Sequence, residues 1–220
     1  MHVFVLNTGR CGSLTFANAC APIVNYSAAH ESCSKLLGEA HFDYPDNHIE
    51  VDNRLSWFLG SLQKRFGDDA AYVHLSRDPD AVARSFNRRT EKAESIIHAY
   101  HHVILPGDKG EEHDPIDFCR DYVRTVNNNI RAFLADKSRK VNVSIEDPHQ
   151  GFAQFWDMIG AKGDFDEAMS ILTQVHHAHG SPKLKRKSRL TLTRAVREPG
   201  AALDKIRRVY TKFPQFIRRA

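Results

Sequence analysis

The sequence predicts an α/β protein, a three-layer α/β/α sandwich around a mostly parallel sheet of about five strands. Short apolar runs bounded by turn residues alternate along the chain with amphipathic helical patterns. This alternation requires crossover connections, which bring strands together in parallel. The chain has 220 residues, of which 41% are hydrophobic, enough for one substantial core. We therefore expect a single domain over residues 1–220, mainly helical and basic from about residue 150 to residue 220.

The predicted elements follow in order along the chain. Apolar, β-branched or aromatic runs predict strands at residues 2–7, 23–27, 48–52, 71–76 and 140–145. Apolar residues at helical spacings predict helices over 54–66, 79–86 and 115–136, and Pro79 suits the first position of its helix. Residues 105–114 combine glycine, proline and charge, which predicts an exposed, mobile loop. The carboxyl ends of the strands are the expected place for a ligand.

The first predicted strand ends in a turn, TGRCGS, that carries two glycines and an arginine. Gly9 and Gly12 allow backbone angles that other residues resist, and Ser13 can begin a helix. Backbone N–H groups at a helix start and the fixed donors of Arg10 suit phosphate or sulfate oxygens. The turn lacks the Walker A lysine and the dinucleotide glycine spacing, and Cys11 has no phosphatase-type arginine downstream. The alternative is a structural turn with a surface arginine.

A second candidate segment is the run LSRDPDAVARSF. Arg77 lies at the expected carboxyl end of a strand, and Ser85 lies eight residues later on the following helix. A fixed cation and a hydroxyl in these places could grip one phosphate from two sides. The alternative is a salt bridge between Arg77 and Asp78 at the strand end, with Ser85 buried for structural reasons.

Together, the two segments resemble sulfotransferases that use 3′-phosphoadenosine 5′-phosphosulfate (PAPS). The segment VSIEDPHQGFAQFWDMIG is similar to a later strand, acidic turn and helix of the same family. The resemblance implies a P-loop nucleotide-hydrolase-like fold, with PAPS as co-substrate, adenosine 3′,5′-bisphosphate as product and no required metal. It makes Arg77 and Ser85 contacts to the 3′-phosphate. The 5′-phosphosulfate loop would consist of Gly9, Arg10, Cys11, Gly12, Ser13 and Leu14.

The resemblance also implies a base that takes the acceptor's proton. Glu31 is the favoured candidate, because several bacterial and Golgi sulfotransferases have a catalytic glutamate in this region. His30 is the alternative, because its unperturbed pKa suits proton transfer near neutrality. A third interpretation is that the Glu31 carboxylate only stabilises the start of a helix. Arg10 would act in catalysis as well as binding, by stabilising the leaving 5′-phosphate.

Two further groups of polar residues are weaker candidates. Asp52, Asn53 or Arg54 could border the acceptor site, although a helix N-cap by Asp52 or Asn53 is favoured. His98 and His102 could share a helical face, but no H-E-x-x-H pattern supports a zinc site. Surface or acceptor-site roles are therefore favoured for these histidines, and we expect no metal site.

The end of the chain is strongly basic. Residues 181–220 contain 13 Lys and Arg against two acidic residues, whereas the whole chain carries a net charge of +4. By resemblance to the family, Lys185 and Arg186 are donor contacts in this segment. The alternative is a solvated charge run.

We expect a cytoplasmic sulfotransferase that moves a sulfuryl group to a hydroxyl or amine acceptor, a carbohydrate or a small metabolite. The four cysteines form no C-x-x-C pair, and no apolar stretch is long enough for a membrane span. The first alternative is a P-loop-like nucleotide or small-molecule kinase. The second is a non-enzymatic nucleic-acid-binding module that uses the basic C-terminus. Nucleic acid is the less favoured partner, and the sequence does not fix the oligomeric state.

Overall fold

The sheet contains five strands, all paired in parallel, in the order β2-β3-β1-β4-β5. A computed structural model describes residues 1–90, 92, 95–105 and 113–174 of the chain. This sheet, with helices packed against it, confirms the predicted α/β class and is consistent with a three-layer arrangement. The strands are β1 (His2–Leu6), β2 (Ser27–His30), β3 (His48–Val51), β4 (Ala71–Ser76) and β5 (Lys140–Ser144).

Aspartate side chains fix the starts of several helices. Asp78, Asp114 and Asp164 each accept a backbone N–H of the first helical turn, which satisfies a group that the helix itself cannot pair. Shorter segments are 3₁₀ turns at Gly38–Phe42 and Asn53–Trp57 and a π-helical turn at Tyr100–Ile104. The helices are α1 (Ser13–Ala19), α2 (Leu59–Arg65), α3 (Pro79–Asn87), α4 (Ile96–Ala99), α5 (Pro115–Leu134), α6 (His149–Met158) and α7 (Phe165–Thr173).

Two aromatic clusters form the core. One joins Phe4 of β1 to Tyr72 of β4, whose ring lies 5.1 Å from that of Phe133 on α5. The other joins Phe16 of α1 to Phe152 of α6, with ring centroids 5.6 Å apart. Burial of these large rings contributes apolar area that holds helices against the sheet.

Two predicted elements differ from the structure. The second strand is Ser27–His30 rather than residues 23–27, because Ile23 instead makes a single antiparallel bridge with Gly163. The predicted helix over 54–66 is divided at Phe58 into a 3₁₀ turn and α2. The division follows from Ser56, whose hydroxyl donates to the carbonyl of Asn7 and ties the 3₁₀ turn to the loop after β1.

Other expectations extend past the described residues. The described part of the chain falls within one compact unit, Met1–His176. A single domain over 1–220 stays a prediction, and so does the mobile loop at 105–114, of which residues 106–112 lie outside the described part. Among the described helices, none combines the length and the apolar character that crossing a membrane would need.

Gly151 tests how closely α6 packs on β5. A Cβ atom at Gly151 would lie 2.4 Å from the carbonyl oxygen of Asn142, whereas one at Gly60 in α2 would have no heavy atom within 4 Å. Gly151→Ala should therefore lower the free energy of unfolding by about 1–3 kcal/mol, because the helix must move off the strand. Gly60→Ala should raise it by about 0.5–1 kcal/mol through helix propensity. Urea denaturation of the two variants measures both, and equal stabilities would contradict this packing.

Candidate functional site

The carboxyl ends of β1 and β4 form the topological switch point of the sheet. β1 lies between β3 and β4, and the chain leaves β1 for β2 on one side but leaves β4 for β5 on the other. Ligands of open α/β sheets bind in the crevice that such a divergence creates. Loop 7–12 follows β1 and Arg77 follows β4, so both predicted segments lie at this crevice. We call loop 7–12, Arg77 and Ser85 the strand-edge site.

The loop is held in place by hydrogen bonds from several elements. The buried Asn7 side chain accepts the N–H of Gly9 at 2.9 Å and donates to the carbonyl of Val5. Tyr122 of α5 donates its hydroxyl to the carbonyl of Thr8 at 2.9 Å, and Ser56 donates to the carbonyl of Asn7 at 3.0 Å. A loop fixed from so many sides presents its remaining backbone groups in one arrangement, which favours preorganised binding.

Both the backbone φ angles of the loop and the space around it favour glycine. Gly9 and Gly12 have φ values of 79° and 83°, a region that favours glycine. A Cβ atom on Gly12 would lie 2.8 Å from Cγ1 of Ile145, just after β5. Arg10, between them, also has a positive φ of 61°, although it is not glycine. Strained backbone of this kind is common at functional sites.

The side chains of the two predicted segments meet. Arg10 donates from Nε to the hydroxyl of Ser85 at 3.0 Å, across 75 residues of sequence. Arg77 donates from Nη1 to the carbonyl of Arg10 at 3.3 Å. The alternative salt bridge of Arg77 with Asp78 does not form, because Asp78 caps α3 and the carboxylate nearest Arg77 among the described residues is that of Glu146, at 3.8 Å. Ser85 is buried, as the same alternative expected.

Positive charge concentrates around Arg10. Its partial burial lowers its pKa, and the nearby cations Arg89, Arg88 and Arg77 lower it further. Among the described residues, Arg10 has no carboxylate partner. Its terminal nitrogens therefore remain available for an anion.

The other predicted loop residues take different positions. Ser13 contacts His30, with 3.1 Å between its hydroxyl and Nε2. Leu14 is 58% exposed beside them. Cys11 is fully buried, and burial raises the pKa of its thiol to about 12. Only the backbone of Cys11 could therefore face a ligand.

The two candidate bases contact different elements. His30, the last residue of β2, contacts Ser13 at the start of α1. Glu31 instead forms an ion pair with Arg54, 2.8 Å from Oε2 to Nη1, and has a positive φ of 54°. No helix begins at Glu31, which rules out the helix-start interpretation. The side chain of His30 thus contacts the helix that directly follows the loop, whereas that of Glu31 contacts Arg54.

A buried carboxylate network holds Ser32, the residue that follows Glu31. Glu50 on β3 is fully buried and accepts the N–H of Ser32 at 2.9 Å, the Ser32 hydroxyl and Nε2 of His48 at 3.1 Å. Burial would raise the pKa of Glu50, but the hydrogen bonds from His48 and Ser32 outweigh it and leave the pKa below its ordinary value. The network therefore fixes the turn that follows β2.

Asp52 is an N-cap, as the favoured interpretation of the sequence expected. Its side chain accepts the N–H of Arg54 at 2.7 Å, which caps the 3₁₀ turn that follows β3. Asp52 is fully buried, and this burial raises the pKa of its carboxyl group. Asp52 therefore joins the cap to the Arg54–Glu31 ion pair.

The structure assigns no role to the predicted residues of the basic segment or to the predicted histidines. Lys185 and Arg186 lie outside the described residues. The rings of His98 and His102 are 4.3 Å apart, but the described residues include no group of three His, Cys, Asp or Glu side chains arranged for a metal ion. A requirement for no metal stays a prediction.

A separate cleft of about 430 Å³ lies along α5. Its lining includes Phe118, Arg120 and Arg124, and none of the described lining residues belongs to the strand-edge site. Both arginines already have carboxylate partners, Arg120 in Asp80 and Arg124 in Asp121. This cleft therefore has less unpaired positive charge to offer an anion than the region around Arg10 has.

Sequence reasoning missed four groups of residues at this edge of the sheet. Asn7 could have been noticed, since an Asn two residues before a glycine favours a side-chain turn. The Arg88-Arg89 pair directly follows the helix that carries Ser85, and its charge was readable. No local signal links Glu50 to Ser32, or Tyr122 to the loop, because these contacts depend on the fold.

Comparison with known proteins does not add a relative. No family model matches the chain, and neither the curated proteins nor the solved structures gave a match.

Glu50→Gln tests the buried network. The variant should lower the free energy of unfolding by about 1–3 kcal/mol near pH 7, because His48 and Ser32 lose a charged partner. The folded pKa of Glu50 is depressed, so its ionised form stabilises the fold above the ordinary glutamate pKa of about 4.3. This stabilisation is lost as the pH falls through the folded value.

The stability difference between wild type and variant should therefore shrink below about pH 4. Urea denaturation between pH 3 and pH 7 measures it. Glu39→Gln, at an exposed ion pair with Arg65, is the control and should change stability by less than about 0.5 kcal/mol. A Glu50→Gln effect that is as small as that of the control would contradict the network.

Proposed function

We propose that the chain is a PAPS-dependent sulfotransferase with a P-loop-like sandwich fold, in which the donor binds at the strand-edge site. The observation that carries this proposal is the hydrogen bond between Arg10 Nε and Ser85, which joins the two sequence segments that resemble the family. A chance match of two separate motifs would not require their side chains to meet. Their meeting at the switch point of the sheet adds independent support.

The charges suit a nucleoside bisphosphate. Adenosine 3′,5′-bisphosphate carries two anionic groups on one ribose, and Arg10, Arg77, Arg88 and Arg89 form a cationic group near the switch point. Arg10 uses Nε for Ser85 and keeps its terminal nitrogens for phosphate oxygens. Arg77 and Ser85 would hold the 3′-phosphate, and Arg10 with the N–H groups of Gly12 and Ser13 would hold the 5′-phosphosulfate.

The reaction is an in-line transfer. The acceptor hydroxyl or amine gives its proton to a base while its oxygen or nitrogen forms a bond to sulfur. The bond between sulfur and the bridging 5′-phosphate oxygen breaks, and adenosine 3′,5′-bisphosphate leaves with the electron pair. Arg10 stabilises the negative charge that develops on this leaving oxygen. Positioning and electrostatics supply most of the acceleration, by analogy with phosphoryl transfer.

The acceptor side lies beyond the ends of β2 and β3. Glu31 and His30 are the bases available there, and Trp57 and Phe58, at the end of the 3₁₀ turn that follows β3, are 38% and 41% exposed and offer apolar surface. A carbohydrate or small metabolite has both the hydroxyl groups and the apolar faces for such a surface. The location of the protein in the cytoplasm stays part of the proposal.

Arg77→Ala tests donor binding. The wild-type chain should bind adenosine 3′,5′-bisphosphate more tightly than ADP or AMP without added metal, and the variant should lose about 10- to 100-fold, as for one charge-assisted hydrogen bond. Calorimetric titration measures both. Arg139→Ala is the matched control, because Arg139 directly precedes β5 and so lies at the amino ends of the strands, away from the strand-edge site. This variant should bind the bisphosphate as the wild type does. Equal affinity for the bisphosphate and ADP would overturn the donor assignment.

Glu31→Gln and His30→Asn identify the base. Loss of a general base should slow release of adenosine 3′,5′-bisphosphate from PAPS by about 10²-fold or more, with donor affinity unchanged. The rate is measured first with water and then with a panel of sugars and amines as acceptors. If both variants keep the wild-type rate, neither residue is the base.

A further inference from the structure

Glu31 and Asp52 lie side by side at the ends of two neighbouring strands. His30 of β2 is paired in register with Val51 of β3, and the N–H of Glu31 donates to the carbonyl of Val51 at 3.2 Å. The next residues along the two strands, Glu31 and Asp52, therefore occupy neighbouring positions. Two carboxylates so placed repel each other unless a cation lies between them.

Arg54 is that cation. Its Nη1 lies 2.8 Å from Oε2 of Glu31 and 3.7 Å from Oδ1 of Asp52, and its backbone N–H donates to the same Oδ1 at 2.7 Å. The three residues therefore form one ion-pair unit with two carboxylates and one guanidinium, which we call the Arg54 bridge.

The two carboxylates of the bridge differ in exposure. The Asp52 side chain is 1% exposed, and the Glu31 side chain is 31% exposed. Oδ2 of Asp52 is buried without a partner among the described residues, and so is the hydroxyl of Tyr44 nearby. A buried carboxylate with a free oxygen cannot leave its cation without large cost. Asp52 is thus the fixed end of the bridge, and Glu31 is the end that an acceptor can reach.

Charged groups reach this corner from several elements. Arg54 comes from the 3₁₀ turn after β3, and Asp52 and Glu50 come from β3 and its end. His30 precedes Glu31 on β2, and Glu50 holds the next residue, Ser32. His48 contacts Glu50, Tyr44 lies within electrostatic range of Glu50 and Asp52, and Cys33 lies within range of Tyr44.

We propose that Asp52 and Arg54 are positioning residues for the transfer reaction, which hold the Glu31 carboxylate at the acceptor side. This inference rests on the proposed function. Oε2 of Glu31 is tied to Arg54, whose backbone N–H is tied in turn to the buried Asp52. The Glu31 carboxylate is therefore fixed in one place when it takes the acceptor's proton.

Arg54→Gln tests the positioning. Loss of the guanidinium frees the Glu31 carboxylate, so turnover of PAPS with water as acceptor should fall about 10-fold or more, with the affinity for adenosine 3′,5′-bisphosphate unchanged. In a Glu31→Gln background the same Arg54→Gln change should have no further effect on turnover, because the carboxylate that it positions is already absent. A merely structural role would lower turnover in both backgrounds.

The rate of adenosine 3′,5′-bisphosphate release by the full chain measures these effects. Arg65→Gln is the matched control, because Arg65 also bridges two carboxylates, Glu39 and Asp43, but on the surface beside α2. The control should leave turnover unchanged in both backgrounds. Thermal denaturation of each variant establishes that it is folded at the assay temperature.

An equal loss of turnover in the wild-type and Glu31→Gln backgrounds, or no loss in either, would overturn the positioning role of the bridge. A wild-type chain that fails to bind adenosine 3′,5′-bisphosphate would overturn the proposed function instead.

Discussion

The fixed loop after β1 is the constraint on which the rest of the site depends. Asn7, Tyr122 and Ser56 bind its backbone from within, from α5 and from the 3₁₀ turn after β3. Arg10 is held in a strained conformation by this loop and so reaches Ser85. The loop therefore holds Arg10 near Arg77, Arg88 and Arg89, although these cations repel it.

The edge of the sheet is divided by charge. Arginines gather at the ends of β1 and β4, whereas Glu31, Glu50 and Asp52 gather at the ends of β2 and β3. These carboxylates find their partners within their own region: Glu31 and Asp52 share Arg54, and Glu50 accepts from Ser32 and His48. The two regions therefore do not neutralise each other. Such a division suits a reaction in which an anionic donor and a proton acceptor approach from opposite sides.

Much of the fold was predictable, because its signals are local. Local patterns of a few residues predict β1 and β4 from their apolar runs, the start of α3 from Pro79 and α5 from its apolar stripe. Ser27–His30 escaped because an edge strand of small and polar residues carries no apolar pattern. At the site, Arg10, Arg77 and Ser85 could be predicted from the sequence as phosphate-binding side chains. That they lie together depends on the order of the strands in the sheet. The partners of Glu31 and Glu50 depend on register, which no local pattern encodes.

The most direct test of the central claim is a crystal structure of the chain with adenosine 3′,5′-bisphosphate. The account predicts the two phosphates at the carboxyl ends of β1 and β4, one against Ser85 and Arg77 and the other against Arg10 and the backbone of Gly12. Nucleotide bound instead in the cleft beside α5, or phosphates turned away from Arg10, would contradict it.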